Sequence, residues 1–198
     1  MSSKSIFSQV IKSIILVFIL TLSVVFNFIL SVSLANAEVF YAQDEAMKIA
    51  FPDADEVKTK TLFIQGSNVE HIQKLSRVKV DSGLFTFFVG YKNGAPTGYA
   101  AIGSNIVRTY PQTYMVVLNL DGSVKTTLIL AFHEPLDYLP TDKWLEQFKE
   151  KDIKESIRPG DDIAGILGSS LSVNAVSAGV RKVLAVYDTF KEQLTENN

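Results

Sequence analysis

Gly168, Ser169, Ser170 and Ser172 stand directly ahead of a stretch whose apolar and aromatic residues recur at a helical period: Val173, Val176, Val180, Val183, Leu184, Tyr187, Phe190 and Leu194. The first turn of a helix leaves N–H groups without an intrahelical acceptor, and serine oxygens are among the side chains that cap them. Free amides, hydroxyls and the positive end of a helix dipole together make a site for an anion, phosphate above all. The same residues also describe an ordinary serine-capped helix packed on a sheet.

A second polar stretch, His133-Glu134-Pro135-Leu136-Asp137-Tyr138-Leu139-Pro140, has two prolines and several titratable groups, as an ordered loop does. Neither His133 nor Glu134 has a partner that would make an acid–base pair. No histidine is placed by sequence to activate Ser170 as a nucleophile. His71 has no second ligand at helical spacing and reads as a surface residue. The chain therefore offers no catalytic residue and no metal site, and any chemistry must come from something bound.

The elements that would position these residues can be read in order. Residues 42–51 predict a short helix with Ala46, Ile49 and Ala50 on its apolar side, ended by Phe51-Pro52. Residues 57–64 alternate as a strand, and residues 69–75 predict a helix capped by Asn68. Residues 84–91 and 98–107 are β-rich and flank Asn93-Gly94; residues 114–120 and 124–132 flank Asp121-Gly122. Both dipeptides favour the turns that join antiparallel strands. Residues 143–148, capped by Thr141 or Asp142, predict a helix that puts Trp144 and Phe148 on one face. Arg158-Pro159-Gly160-Asp161-Asp162 is a turn leading to the apolar approach to the serine loop, and Arg158 reads as a surface residue, with contact to an anion there as the alternative. The expectation is an α+β domain: a mostly antiparallel sheet built from hairpins, covered by the C-terminal amphipathic helix and shorter helices.

Composition sets the compartment and excludes several partners. Lys4 and Lys12 give a basic start, residues 14–34 are uncharged and predominantly apolar, and Ala35-Asn36-Ala37 supplies a small-x-small cleavage pattern. Residues 1–37 are thus expected to be a signal peptide, or an uncleaved N-terminal anchor, since about 20 apolar residues can span a bilayer. Residues 38–198, of a size for one domain with its own core, are then exported, to the periplasm or the outer face of the cytoplasmic membrane. The net charge of −2 for the whole chain becomes −4 once the two leader lysines are set aside. No nucleic-acid partner is expected of such a balance. The absence of cysteine removes disulfides, iron–sulfur clusters, c-type haem and a lipoprotein anchor.

Residues 163–180 resemble the C-terminal signature of the FMN-binding domain family, which includes periplasmic subunits of the Rnf and sodium-pumping NADH:quinone reductase complexes and regulators of nitrous-oxide reductase. That signature runs Ser/Thr-Gly-Ala-Thr-x-Ser and continues into a helix beginning with an Ala-Val pair. Here Leu167, Gly168, Ser169, Ser170, Leu171 and Ser172 stand at its positions, with Ala175-Val176 as the pair. Many members carry FMN on the threonine through a phosphoester, and Ser170 matches that threonine. Two positions depart: Leu167 replaces a hydroxyl residue, and Ala164 replaces the aspartate of the motif recognised by the modifying enzyme. The family's loop beside the flavin, of His-x-Glu-Thr-Pro-Gly-Leu-Gly type, is matched loosely by His133, Glu134, Pro135 and Leu136. The resemblance implies FMN as cofactor, held by Gly168, Ser169, Ser170 and Ser172 with Glu134, Pro135 and Leu136. For Trp144 it adds stacking on the flavin as an alternative to a core or lid role. It further implies membrane-bound redox partner proteins, a flavin transferase, and electron relay rather than stand-alone catalysis. An exported binding or scaffold module of the same fold that has lost covalent flavin is the alternative that Leu167 and Ala164 favour.

Overall fold

The structure, a computed structural model, describes residues 16–21 and 38–195. Residues 1–36 and 37–198 are separate units. Residues 16–21 are helical, and the rest of the expected leader lies outside the described residues. No helix among the described residues is long and apolar enough to cross a membrane.

Six strands form one sheet in the order β1-β6-β5-β4-β3-β2, every neighbouring pair antiparallel. They are β1 (Glu38–Val39), β2 (Glu56–Ile64), β3 (Gly83–Lys92), β4 (Ala95–Ile106), β5 (Pro111–Leu118) and β6 (Val124–Phe132). β2 to β6 run as a meander, and β1 adds an edge by pairing Glu38 with Phe132. The helices are α1 (Gln43–Ala50), α2 (Ser67–Ser76), α3 (Asp142–Leu145) and α4 (Ser170–Thr195), with 3-10 turns at Leu136–Tyr138 and Glu146–Phe148. This is the α+β, mostly antiparallel architecture that the sequence pattern predicts.

Local chemistry explains the turns. Asn93 and Gly94 both have positive φ, 52° and 77°, as a two-residue primed turn between β3 and β4 requires. The Asp121-Gly122 connection is a wider loop than the dipeptide alone suggests. Asp121 accepts both the backbone N–H and the hydroxyl of Ser123, at 2.9 and 2.7 Å, and the Asn119 N–H donates to the Ser123 carbonyl at 2.8 Å. Several boundaries differ from expectation, three of them for clear physical reasons. β5 begins at Pro111, a residue that needs no ladder donor at a strand start. α2 is preceded by Gly66 at φ 58°, a left-handed position that turns the chain into the helix, so the cap is not Asn68. α4 begins three residues ahead of the apolar stripe, at Ser170.

Both faces of the sheet are covered. Tyr114, Val116 and Leu118 of β5 face α4, whereas Met115 and Val117 face α1 through Ala46, Ala50 and Phe51. All eight residues of the predicted α4 stripe are buried. Burying a Val or Leu side chain stabilises by roughly 1.5–3 kcal/mol, so packing rather than helix propensity holds this valine-rich helix. α4 approaches the sheet closely at one point. A Cβ on Gly103 of β4 or on Gly179 of α4 would overlap the ring of Tyr114, which occupies the space both glycines leave.

Candidate functional site

The segment leading into α4 is held mainly by side chains of α3 and the turn after it. Thr141 Oγ1 accepts the Trp144 N–H at 3.3 Å and fixes the start of α3. Trp144 Nε1 then donates to the Ala164 carbonyl at 2.6 Å, and the Ala164 N–H donates to Gln147 Oε1 at 2.8 Å. Trp144 is buried and meets Phe148 edge to face, ring centres 5.3 Å apart. It is a core residue that clamps the segment approaching α4. Ile163, also buried, and the Asp162 carboxylate, which accepts the Ile157 and Arg158 N–H groups, fix the preceding turn.

Beyond this clamp the Ser169 N–H donates to the Ile166 carbonyl at 3.1 Å, and Gly168 takes φ 86°, a conformation that suits glycine. The Val173 N–H donates to the Ser169 carbonyl at 3.1 Å, so Ser169 is the residue on which α4 opens. Its hydroxyl donates to the Asp137 carbonyl at 3.4 Å instead of capping the helix. The amides of Ser170, Leu171 and Ser172 meet no acceptor among the described residues. Ser172 Oγ is buried and has no hydrogen-bond partner. A buried hydroxyl left unpaired costs free energy, and an anion at the helix end would supply the missing acceptor.

At this helix start lies a cleft of about 120 Å³ bounded by Val107, Arg108, Glu134, Tyr138, Gly168, Ser169, Leu171 and Ser172. A water molecule's share of liquid volume is roughly 30 Å³, and sites enclosing a whole drug-sized ligand start near about 300 Å³. The cleft thus matches a phosphate-sized group, and the larger part of any FMN-sized ligand would lie over its rim. Leu171 on its edge is exposed, and so are Leu136 and Leu167 in the adjoining segments, Leu167 completely.

Glu134 organises the opposite wall. Its Oε1 accepts the backbone N–H groups of Thr109, Tyr110 and Arg108 at 2.7, 2.9 and 3.2 Å. The bonds from Thr109 and Tyr110 hold its carboxyl below the usual carboxylate range, with the Arg108 amide and charge adding to them and burial opposing them. The three amides absorb the carboxylate's charge and fix the turn between β4 and β5, which carries Arg108. The guanidinium of Arg108 makes no ion pair among the described residues.

The structure brings Gly168, Ser169, Ser172 and Glu134 together around this cleft. Ser170 lies on the first helical turn beside it with its side chain exposed, and Pro135 and Leu136 are exposed on the adjoining turn without lining it. Arg158 is exposed on a different turn and is not among the lining residues. Sequence reasoning did not single out Arg108 or Tyr138 as site residues. Tyr138 stood within a stretch already marked as informative, whereas a lone arginine before Pro111 carries no local signal. His71 is exposed on α2.

An antiparallel meander backed by a long C-terminal helix, with a small anion-sized cleft at that helix's start, is the class of structure the chain adopts. Among solved structures the same fold occurs in NqrC of Shewanella oneidensis, which aligns over 77% of this chain and 89% of its own at 15% identity, with a TM-score of 0.50. No protein-family model matches the chain, and no curated protein matches it.

Proposed function

We propose that residues 38–198 are an exported FMN-binding domain that relays electrons in a membrane-associated redox chain. The observation that carries this reading is Ser172, which lines a phosphate-sized cleft at the N-terminus of a 26-residue helix and whose Oγ is buried and unpartnered. The NqrC-like fold supports it, since NqrC is the FMN-binding subunit of a sodium-pumping NADH:quinone reductase.

The residues present fit the phosphate end of FMN. The Ser170, Leu171 and Ser172 amides and Ser172 Oγ would hold it, with Ser169 and Gly168 shaping the turn. Ser170, exposed at the helix start, is the attachment point for a phosphoester made by a flavin transferase. Glu134 fixes the facing turn, and Pro135 and Leu136 offer an apolar surface beside the cleft. Bound FMN supplies one- and two-electron transfer, so no side chain needs to act as nucleophile or base. The partners are then membrane-bound redox proteins.

Leu167 favours a second reading. It is fully exposed where the FMN-binding family has a hydroxyl residue. An exported binding or scaffold module of the same fold, without covalent flavin, accommodates that substitution. Purification from the native host separates the alternatives. A yellow protein whose fluorescence survives a denaturing gel supports covalent FMN, and yellow colour lost on denaturation supports non-covalent FMN. A colourless protein that takes up no added FMN leaves the scaffold reading.

A further inference from the structure

Arg108 lies on the wall of the cleft facing the α4 N-terminus, and nothing assigned so far uses its charge. We propose that Arg108 is the specificity-determining residue of this site, selecting a ligand that ends in a phosphate monoester over the same ligand without it. The inference rests on the FMN reading and adds to it the residue that distinguishes FMN from riboflavin.

Three observations carry it. The turn holding Arg108 is pinned from below by Glu134, whose single oxygen accepts the amides of residues 108, 109 and 110. Arg108 is therefore presented from a fixed backbone rather than from a loose loop. Its guanidinium is close enough for its charge to act on the Glu134 carboxylate, yet the two form no ion pair. Glu134 Oε1 is instead taken up by three backbone donors, and no hydrogen bond from the guanidinium to that carboxylate is present. Ser172 also lines the cleft between Arg108 and α4, and its Oγ is buried and without a partner. Helix amides, an orphaned hydroxyl and an unpaired guanidinium facing one phosphate-sized space form a donor set matched to a dianionic phosphate. Arginine suits that task because its planar fork can bond two phosphate oxygens at once.

The test is a titration of the full-length chain with FMN and with riboflavin, followed by flavin fluorescence, for the wild type, Arg108→Ala, Arg108→Lys and Arg158→Ala. The wild type is expected to bind FMN more tightly than riboflavin. Arg108→Ala should weaken FMN roughly ten- to a hundredfold, the range for a lost charge-assisted bond, while leaving riboflavin unchanged. Arg108→Lys should recover part of the loss, and Arg158→Ala, which lies off the cleft, should change neither ligand. Circular dichroism of Arg108→Ala should match the wild type, because the turn is held by backbone groups that the substitution leaves in place. If the wild type binds FMN and Arg108→Ala keeps the full preference over riboflavin, the role of Arg108 is overturned while the FMN reading stands. If the wild type binds neither flavin, both fall.

Discussion

Trp144 Nε1 donates to the carbonyl of Ala164 at 2.6 Å, tying the short helix after the Glu134 loop to the segment that delivers Gly168 and the serines. The bond spans 20 residues of sequence and joins two segments that share no sheet ladder. With Gln147 on the Ala164 N–H, both backbone groups of one residue are satisfied by side chains of the same turn and helix. The position of the serine loop thus depends on α3 more than on the sheet.

Trp144→Phe should therefore cost about 1–3 kcal/mol, because it retains the packing but orphans a partly buried carbonyl. Trp144→Ala should cost about 3–5 kcal/mol by adding a cavity beside Phe148. Urea unfolding measures both. Limited proteolysis of Trp144→Phe should cut faster between residues 164 and 169 than the wild type does. Equal cutting would mean that the clamp does not set the loop.

Glu134 predicts an acid-sensitive site. Its folded carboxyl is held below the ordinary value of 4.5, chiefly by the Thr109 and Tyr110 amides. A depressed folded value means that its contribution is complete above about pH 4.5 and is lost as pH falls through the lowered folded value. Glu134→Gln should lower the thermal midpoint at neutral pH and flatten its fall as the pH drops below about 4.5. A variant that keeps the wild-type acid limb would assign that limb to other carboxylates.

Gly179→Ala reverses the usual rule for helix interiors. Alanine should gain roughly 1 kcal/mol in propensity over glycine. Here the added methyl would overlap the Tyr114 ring, and overpacking of this kind typically costs about 1–3 kcal/mol. The net expectation is destabilisation. In a Tyr114→Ala background the same substitution should become neutral or stabilising, so a double-mutant cycle would show strong coupling. Additive effects would show that the helix and sheet are not in contact through that ring.

Much of this fold is written in local sequence. Asn93-Gly94 needs only its own two left-handed residues to specify a hairpin, and the α4 stripe carries its own period. The start of α4 is marked locally too, by Gly168 and the serines ahead of the stripe, although the Ser169 hydroxyl turns to the Asp137 carbonyl instead of capping. The facing wall is not. Arg108 reaches the cleft only because Glu134, 26 residues away, gathers the amides of its turn. The apolar side of α1, with Ala46 and Ala50, is legible, whereas its partners on the second face, Met115 and Val117, are not. Pairings of that kind are set by tertiary register, which no short window contains.

Ser170 gives the sharpest chemical prediction. It matches the threonine that bears FMN in the family the sequence resembles, and it sits exposed on the first turn of α4, where a modifying enzyme can reach it. A phosphate on its oxygen would lie near the open amides of the helix start. Serine lacks the methyl that restricts threonine at χ1, so the attached group is held less firmly. Co-expression of the full chain with a flavin transferase should give an intact mass increased by FMN less one water. Ser170→Ala should abolish that increase, whereas Ser169→Ala, whose hydroxyl is directed to the Asp137 carbonyl, should keep part of it. Restoring the family residues with Ala164→Asp and Leu167→Thr should raise the modified fraction, because these two positions are where the motif departs. Modification that persists in Ser170→Ala would move the attachment to another hydroxyl. No modification even in the double substitution, together with wild-type protein that binds free FMN, would make the cofactor non-covalent, held by Ser172, the helix amides and Arg108 alone.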